Sequence, residues 1–497
     1  MCYLPLILSV TPFLIFLFLL LIKKTSLLRA SFYASLSCLA LMILFWQMDA
    51  YFLYVSVGKA VFIALDIFII IFGAIFFLEI LEDLKIIKNI SYYLESFSKD
   101  YRVQVIVLAW LFSSFIEGTA GFGTPAAIVV PLLIGIGLTP IKSLVVGLLG
   151  NSTAGVFGAA GTPIRIGFSG LDTALVPITA SLINLVGFIV PIFMLWIITS
   201  GRENRKKEFF DALPFAIWAG VAFVLPSILF VSLGQEFPSI LGSIVGLILV
   251  VISTKLNIFN PKTEIKLEEE KEVYHTMSAF KSFLPYGILI VLLVLGKFIL
   301  SKLSIPIFAG FSHTFNLFNP GFAFILTGII VYFIWKKKSG VFIDSIKTGF
   351  KGAWGPFLVI ISMLSVVQLM IYSGNNSSGV DSSINLITKI FGTPLLPIFA
   401  PFVGAFGAFM TGSVTISNIM FGNFFNTASL NLGFNQAIIL SLLVVGAAAG
   451  NMVALADILA AEAVARVKNY ERKILKGVIV PCLIYLSLVA LIGFLIF

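Results

Sequence analysis

Apolar runs long enough to cross a hydrocarbon core about 30 Å thick recur along the chain, with short polar loops between them. The clear ones cover residues 4–22, 30–46, 60–81, 174–200, 213–233, 237–253, 284–300, 320–335, 353–372 and 477–497. Two blocks depart from this pattern. Residues 103–167 and 384–465 hold shorter apolar pieces separated by Gly, Pro, Asn and Thr, which suits half-helices and re-entrant hairpins better than full spans. The expected fold is an all-α polytopic membrane protein of about 12–14 transmembrane segments, two of its regions broken.

The breaks are built from particular residues. The first block runs Glu117-Gly118-Thr119-Ala120-Gly121-Phe122-Gly123-Thr124-Pro125, then Asn151-Ser152-Thr153, then Gly161-Thr162-Pro163-Ile164-Arg165. The second runs Met410-Thr411-Gly412-Ser413-Val414-Thr415-Ile416-Ser417-Asn418, then Gly446 to Asn451. Each unpaired backbone group costs several kcal/mol in hydrocarbon, so irregular chain at membrane depth survives only around a cavity enclosed by protein or filled with water. Paired interruptions of this kind predict a transport site.

Composition agrees. Of 497 residues, 59% are hydrophobic and 11% charged, with a mean hydropathy of +1.10, outside the range of soluble domains. The net charge of +9 sits in short loops beside apolar runs, where it sets topology, and no basic face with interleaved aromatics suggests nucleic acid. Cys2, Cys38 and Cys482 are too dispersed for a disulfide framework or a metal site. His275 and His313 both fall in expected loops, so neither a metal nor another cofactor is expected. The run 4–22 is followed by Lys23-Lys24 and has no small-residue cleavage signal, so it reads as a retained span.

Lys and Arg near the span ends give an orientation. Lys23, Lys24 and Arg29, then Arg202, Arg205, Lys206 and Lys207, then Lys336 to Lys338, then Arg466, Lys468, Arg472, Lys473 and Lys476 are placed on the cytoplasmic side. The charged stretch 254–282, with Glu268, Glu269 and Glu270, reads as a cytoplasmic linker between halves 1–253 and 283–497. On that count the block 103–167 crosses from inside to outside and the block 384–465 the other way, as inverted-topology repeats would.

A charge at the bilayer centre costs at least a few kcal/mol, which makes an intramembrane ionisable group a functional candidate. Glu117, directly before Gly118, Gly121 and Gly123, is the leading proton-coupling candidate; it also fits a structural acceptor for backbone donors freed by the break. Asp457 is the corresponding acid of the second half, or a helix-end acid near the interface. Arg165 suits a carboxylate, or snorkels toward headgroups. Asn151, Ser152, Thr153, Thr162, Thr411, Gly412, Ser413, Thr415, Asn418 and Asn451 offer neutral hydrogen-bonding groups beside breaks. Half-helix N-termini nearby favour a small anion, although each of these side chains also fits a cap on its own helix. Lys59, Asp66, Glu79 and Lys297 read as structural or interfacial. The sequence 242–246 and the sequence 446–450 match small-xxx-small helix packing.

No Walker P-loop, His-Glu-x-x-His motif or nucleophile elbow is found, so the chain is not expected to be an enzyme or a nucleotide-driven pump. The stretch from Phe115 to Pro125 resembles the Glu-Gly-x-Ala-Gly-Phe-Gly-x-Pro segment of the lactate permease family, bacterial symporters for lactate and glycolate. Asn151-Ser152-Thr153, Phe157-Gly158-Ala159 and Gly161-Thr162-Pro163-Ile164 resemble the family's next segment; Tyr372-Ser373-Gly374, Phe409 to Ser413 and Ser417-Asn418 resemble its second half. The resemblance spans about Arg102 to Ala465 and implies proton symport of a small monocarboxylate by alternating access. Two positions depart from it: Val414 stands where the pattern has an acid, and Asn451 where it has a Lys. Either Glu117, Arg165 and Asp457 take over the roles of those charges, or the chain carries a different organic anion. A passive anion pathway is the rival reading.

Overall fold

The computed structural model describes residues 4–23, 25–96, 98–121, 124–267, 277–300, 303–308, 312–335, 339–391, 393–465, 467 and 470–496. Among them, ten helices are long and apolar enough to cross a membrane, and four shorter apolar helices, Leu4–Leu20, Pro125–Gly135, Pro320–Trp335 and Leu396–Thr411, accompany them. The chain is a multi-pass, helical plasma-membrane protein. One small addition to the helices is a two-stranded antiparallel hairpin, Ser304–Phe308 with Ser312–Asn316. His313, expected in a loop, sits opposite Ile307 in that hairpin.

The scaffold is carried by two helices of 34 residues, Ala50–Asp83 and Ser339–Tyr372, which pack along one another. At 1.5 Å per residue each is about 51 Å long, so both outrun the runs 60–81 and 353–372 that hydrophobicity alone marks. Small residues let neighbours close in: an added side chain at Gly73 or Gly321 would overlap the facing helix backbone.

The broken blocks differ from the scaffold in how they cross. Helix 101–119 is interrupted by a π-helical turn, Val107–Phe112, and ends in the break at Ala120. Arg102, fully buried, anchors its start by donating to Asp100 at 2.7 Å, to Asp211 at 3.1 Å, to the Glu208 carbonyl at 2.7 Å and to the Thr263 carbonyl at 2.6 Å. Helix Thr124–Gly135 returns to the same face, because the next helix, Pro140–Gly150, begins there with Lys142 donating to the Ser200 carbonyl at 2.6 Å, beside Arg202 and Glu208. Residues 101–135 are thus a re-entrant hairpin. The chain then crosses through Pro140–Arg165, itself broken at residues 151–161.

Residues 396–432 form the second hairpin, with the Ser417 hydroxyl donating 2.7 Å to the Gly404 carbonyl across its two arms. Its open end lies on the opposite face. The last helix, Glu471–Ile496, shows this: Gly477, near its start, lies against Val145 one turn past Lys142, and Gly493, near its end, lies against Pro397 and Leu442. Helix Gln436–Gly450 runs beside the inbound arm Leu396–Thr411, and Gly446 and Gly450 admit the Pro401 and Ala405 backbones. The small-xxx-small pattern at 446–450 therefore marks a helix contact, as does that at 242–246, where Gly242 meets Ser227 and Gly246 meets Ala222.

Gly446→Val would force a branched side chain into the Pro401 backbone, an overpacking of about 1–3 kcal/mol. Its thermal unfolding in detergent should drop by several degrees, whereas Gly135→Ala, with open space around it, should leave the transition within a degree.

Candidate functional site

Four discontinuities converge on one small buried cavity. The tip of the first hairpin supplies Glu117 and Gly121, the first broken helix Gly158, Ala159 and Pro163, the tip of the second hairpin Gly412, Ser413, Val414 and Thr415, and the second broken helix, Gln436–Glu462 with its break at Asn451–Val453, supplies Asn451. The cavity measures about 20 Å³, room for about one water molecule. Gly123 lies outside the described residues.

Local backbone geometry follows from the residues at each break. Gly412 takes a left-handed conformation (φ 68°) that ends the inbound arm, and Ser413 caps the outbound helix Val414–Leu432 by accepting from the Ile416 N–H at 3.3 Å. Val414 and Thr415 are the first residues of that helix, so their N–H groups have no carbonyl partner one turn back. In the first broken helix three successive residues are left-handed, Ala159 (φ 41°), Ala160 (φ 52°) and Gly161 (φ 76°). For an alanine this costs roughly 1–2 kcal/mol, and the surroundings must hold it in place. The Thr162 hydroxyl does so from below, donating 2.5 Å to the Ala159 carbonyl.

Glu117 is 3% exposed. Its Oε1 lies over Gly158, where any Cβ would overlap it. Among the described residues, Glu117 Oε2, Asn151 Oδ1, Asn418 Oδ1 and Asn451 Oδ1 are buried with no hydrogen-bond partner, as are the hydroxyls of Ser113 and Ser114 one turn before Glu117. Buried polar atoms are ordinarily satisfied, so this concentration of unmet acceptors marks a place built to receive donors. Glu117 is the only charged side chain among the residues lining the cavity.

The remaining candidates sort by position. Asn151 donates 3.3 Å to the Asp457 carboxylate, and Asp457 is close enough to Glu117 to interact with it electrostatically. Asn418 donates 3.0 Å to the Pro163 carbonyl, tying the second hairpin to the first broken helix. Thr411 donates to the Gly407 carbonyl at 2.8 Å and Ser152 to the Leu149 carbonyl at 2.7 Å, so both serve their own helix ends. The Thr153 carbonyl accepts from Asn184, which Tyr485 holds at 2.7 Å. Gly118 faces Ser239 and Ile240, where a Cβ would come within 2.8 Å of the Ile240 amide.

Arg165 does not line the cavity. Its guanidinium turns to the outer end of the broken helix, donating 2.5 Å to the Phe318 carbonyl, lying 4.0 Å from Glu236 and stacking 5.6 Å from the Phe318 ring. Lys297 joins it, bonded to both Glu236 oxygens at 3.2 Å and 5.4 Å from the same ring. The loop bearing Glu236 closes over the left-handed turn, with the Gln235 carbonyl against Gly161. Gly158, Ala159 and Pro163 are cavity residues that the sequence places in the family-like segments without naming them as site residues.

A family profile described as L-lactate permease matches residues 5–313 and 299–497. The chain belongs to the L-lactate permease family. It is 25% identical over 531 residues to the L-lactate permease of Escherichia coli K12, covering 97% of this chain and 94% of that one. It is 28% identical over 470 residues to a Haemophilus influenzae protein assigned provisionally as an L-lactate permease, covering 85% of each. The glycolate permease GlcA of E. coli K12 is 25% identical over 460 residues, 80% of this chain and 78% of that protein. Among solved structures the chain is similar to the YdaH transporter of Alcanivorax borkumensis, with 12% identity, a TM-score of 0.42 and coverage of 87% and 84%.

Within this L-lactate permease family chain, the two departures from the family pattern, Val414 and Asn451, fall in the same cavity. Gly158→Ala, which thrusts a methyl into the Glu117 carboxyl, should lower transport at least about fivefold, the equivalent of the roughly 1 kcal/mol lower end of an overpacking penalty, while membrane expression persists. Gly155→Ala, whose new Cβ would sit 3.5 Å from Ala448 and Val414 in ordinary contact, should retain most of the flux.

Proposed function

We propose that this chain imports a small monocarboxylate of the lactate or glycolate type together with a proton, by alternating access about the cavity, the two broken blocks acting as inverted-topology repeats. The observation that carries the reading is the meeting of both hairpin tips and both broken helices around the buried carboxyl of Glu117, with Asp457 close by. The names of the relatives supply the substrate class.

The chemistry follows from charge. An incoming carboxylate finds neutral donors: the free N–H groups at the start of Val414–Leu432, the positive end of that helix dipole, and the Asn451 amide. An ionised Glu117 in the same cavity would repel it, by roughly 4 kcal/mol for charges 4 Å apart at an effective dielectric of 20. Anion binding and protonation of Glu117 are therefore linked, and the anion enters with a proton. At about 20 Å³ the cavity is closed to a hydroxy-carboxylate, so loading requires one hairpin to move. The cluster of Arg165, Glu236 and Lys297 is the closure on the outer side.

Glu117→Gln, a mimic of the protonated acid, should abolish lactate accumulation driven by a proton gradient in proteoliposomes, by about a hundredfold or more, while lactate exchange persists. Lumenal pH recorded during uptake reads the proton directly; undiminished accumulation in the variant would remove Glu117 from coupling, and flux without accumulation in the parent would establish the passive pathway instead. A second test uses the neutral pair. Val414→Asp alone should cut uptake more than about tenfold by adding an unpaired charge, and Val414→Asp with Asn451→Lys should recover it in part; equal loss in both would show that the two positions do not sense each other.

A further inference from the structure

Away from the central cavity, at the face where Lys142 sits, a second cavity of about 280 Å³ opens between three helix ends. Helices Pro140–Gly150 and Glu471–Ile496 begin there and Val190–Thr199 ends there. Lys142, Lys473, Lys476 and Trp196 form its upper wall, and Val145 and Val480 belong to an apolar floor.

The cations divide by what they already do. Lys142 is occupied, donating to the Ile198 and Ser200 carbonyls at 2.8 and 2.6 Å and so covering the negative end of its neighbour helix. Lys473, 5.0 Å from the Tyr470 ring, and Lys476 are exposed, and among the described residues no acidic side chain lines the cavity. Glu208, the nearby acid in the first turn of helix Arg205–Phe230, is ion-paired with Arg202 at 2.6 Å. Arg205 adds a further positive charge, stacked 5.5 Å from the Trp196 ring. Two helix N-termini point their positive dipole ends at the same place. The result is a cationic rim over an apolar bed, with a tryptophan at the level where such rings mark the membrane interface.

We propose that this cavity binds an anionic phospholipid, its phosphate diester held by Lys473 and Lys476 and its acyl chains laid along Val145 and Val480. Free phosphate shares the headgroup chemistry but gains nothing from the apolar floor, and that floor decides for the lipid.

The test titrates phosphatidylglycerol and phosphatidylcholine onto the delipidated full chain in detergent, with retained lipid read by native mass spectrometry. Phosphatidylglycerol should be held preferentially, and Lys473→Gln with Lys476→Gln should weaken its retention about 25-fold, roughly fivefold for each lysine near the surface. Val480→Trp, which fills the floor and keeps the lysines, should also weaken it, and millimolar inorganic phosphate should not displace the lipid. Equal retention of phosphatidylglycerol by the parent and the double-lysine variant, or displacement by inorganic phosphate at low concentration, overturns the proposal.

Discussion

A helix broken inside hydrocarbon frees N–H and C=O groups that no lipid can satisfy, and in this protein each broken block meets that demand partly with side chains of the other or of the helices around it. Asn418 of the second hairpin donates to the Pro163 carbonyl of the first broken helix. Asn151 of the first broken helix reaches Asp457 beyond the break in the second. Ser239 donates 2.8 Å to the Ala154 carbonyl, and Asn184, held by Tyr485, donates 2.9 Å to the Thr153 carbonyl. The breaks thus hold one another in place, and the small cavity is what their grouping leaves.

Close approach makes this exchange possible. Side chains as short as Asn and Ser can bridge two backbones only if the backbones come within a few ångströms, and glycine at the contact points permits that. Gly167, where any Cβ would meet the Asn418 side chain, keeps the second hairpin seated against the end of the first broken helix, and Gly407, where it would meet Ser417, lets that hairpin's own two arms close. The same logic places Gly158 beneath Glu117: the carboxyl occupies the volume that a side chain would have taken. Small residues here act on function through distance as well as through backbone freedom.

Much of this was legible in the sequence because hydrocarbon imposes a strict pattern. Uninterrupted apolar runs gave the scaffold spans, and Gly, Thr and Asn clusters gave both broken blocks, including Glu117, Gly121, Gly412, Ser413, Thr415 and Asn451 at the cavity. Less legible was whether a broken segment crosses or turns back. That depends on which face its far end reaches, and here it is read from contacts hundreds of residues apart in sequence, such as Gly477 against Val145 and Gly493 against Pro397. The direction of a long side chain at a helix end was equally hidden. Arg165 follows cavity residue Pro163 by two positions, yet its guanidinium is drawn outward by Glu236 and the Phe318 carbonyl, groups contributed by distant loops.

The placement of charge then constrains how an anion could be held. With Arg165 engaged by the Phe318 carbonyl and Glu236 and Lys297 beside it, no cationic side chain lines the cavity among the described residues. The positions at which the family pattern has an acid and a lysine are both neutral, and both face the same space. With Val414 and Asn451 there, neither position adds a charge that the cavity would have to compensate. What remains to meet a carboxylate is a helix N-terminus, the Asn451 amide and the Glu117 carboxyl with Asp457 close by, so an ionised acid there would oppose an incoming anion and a bound anion would favour its protonation.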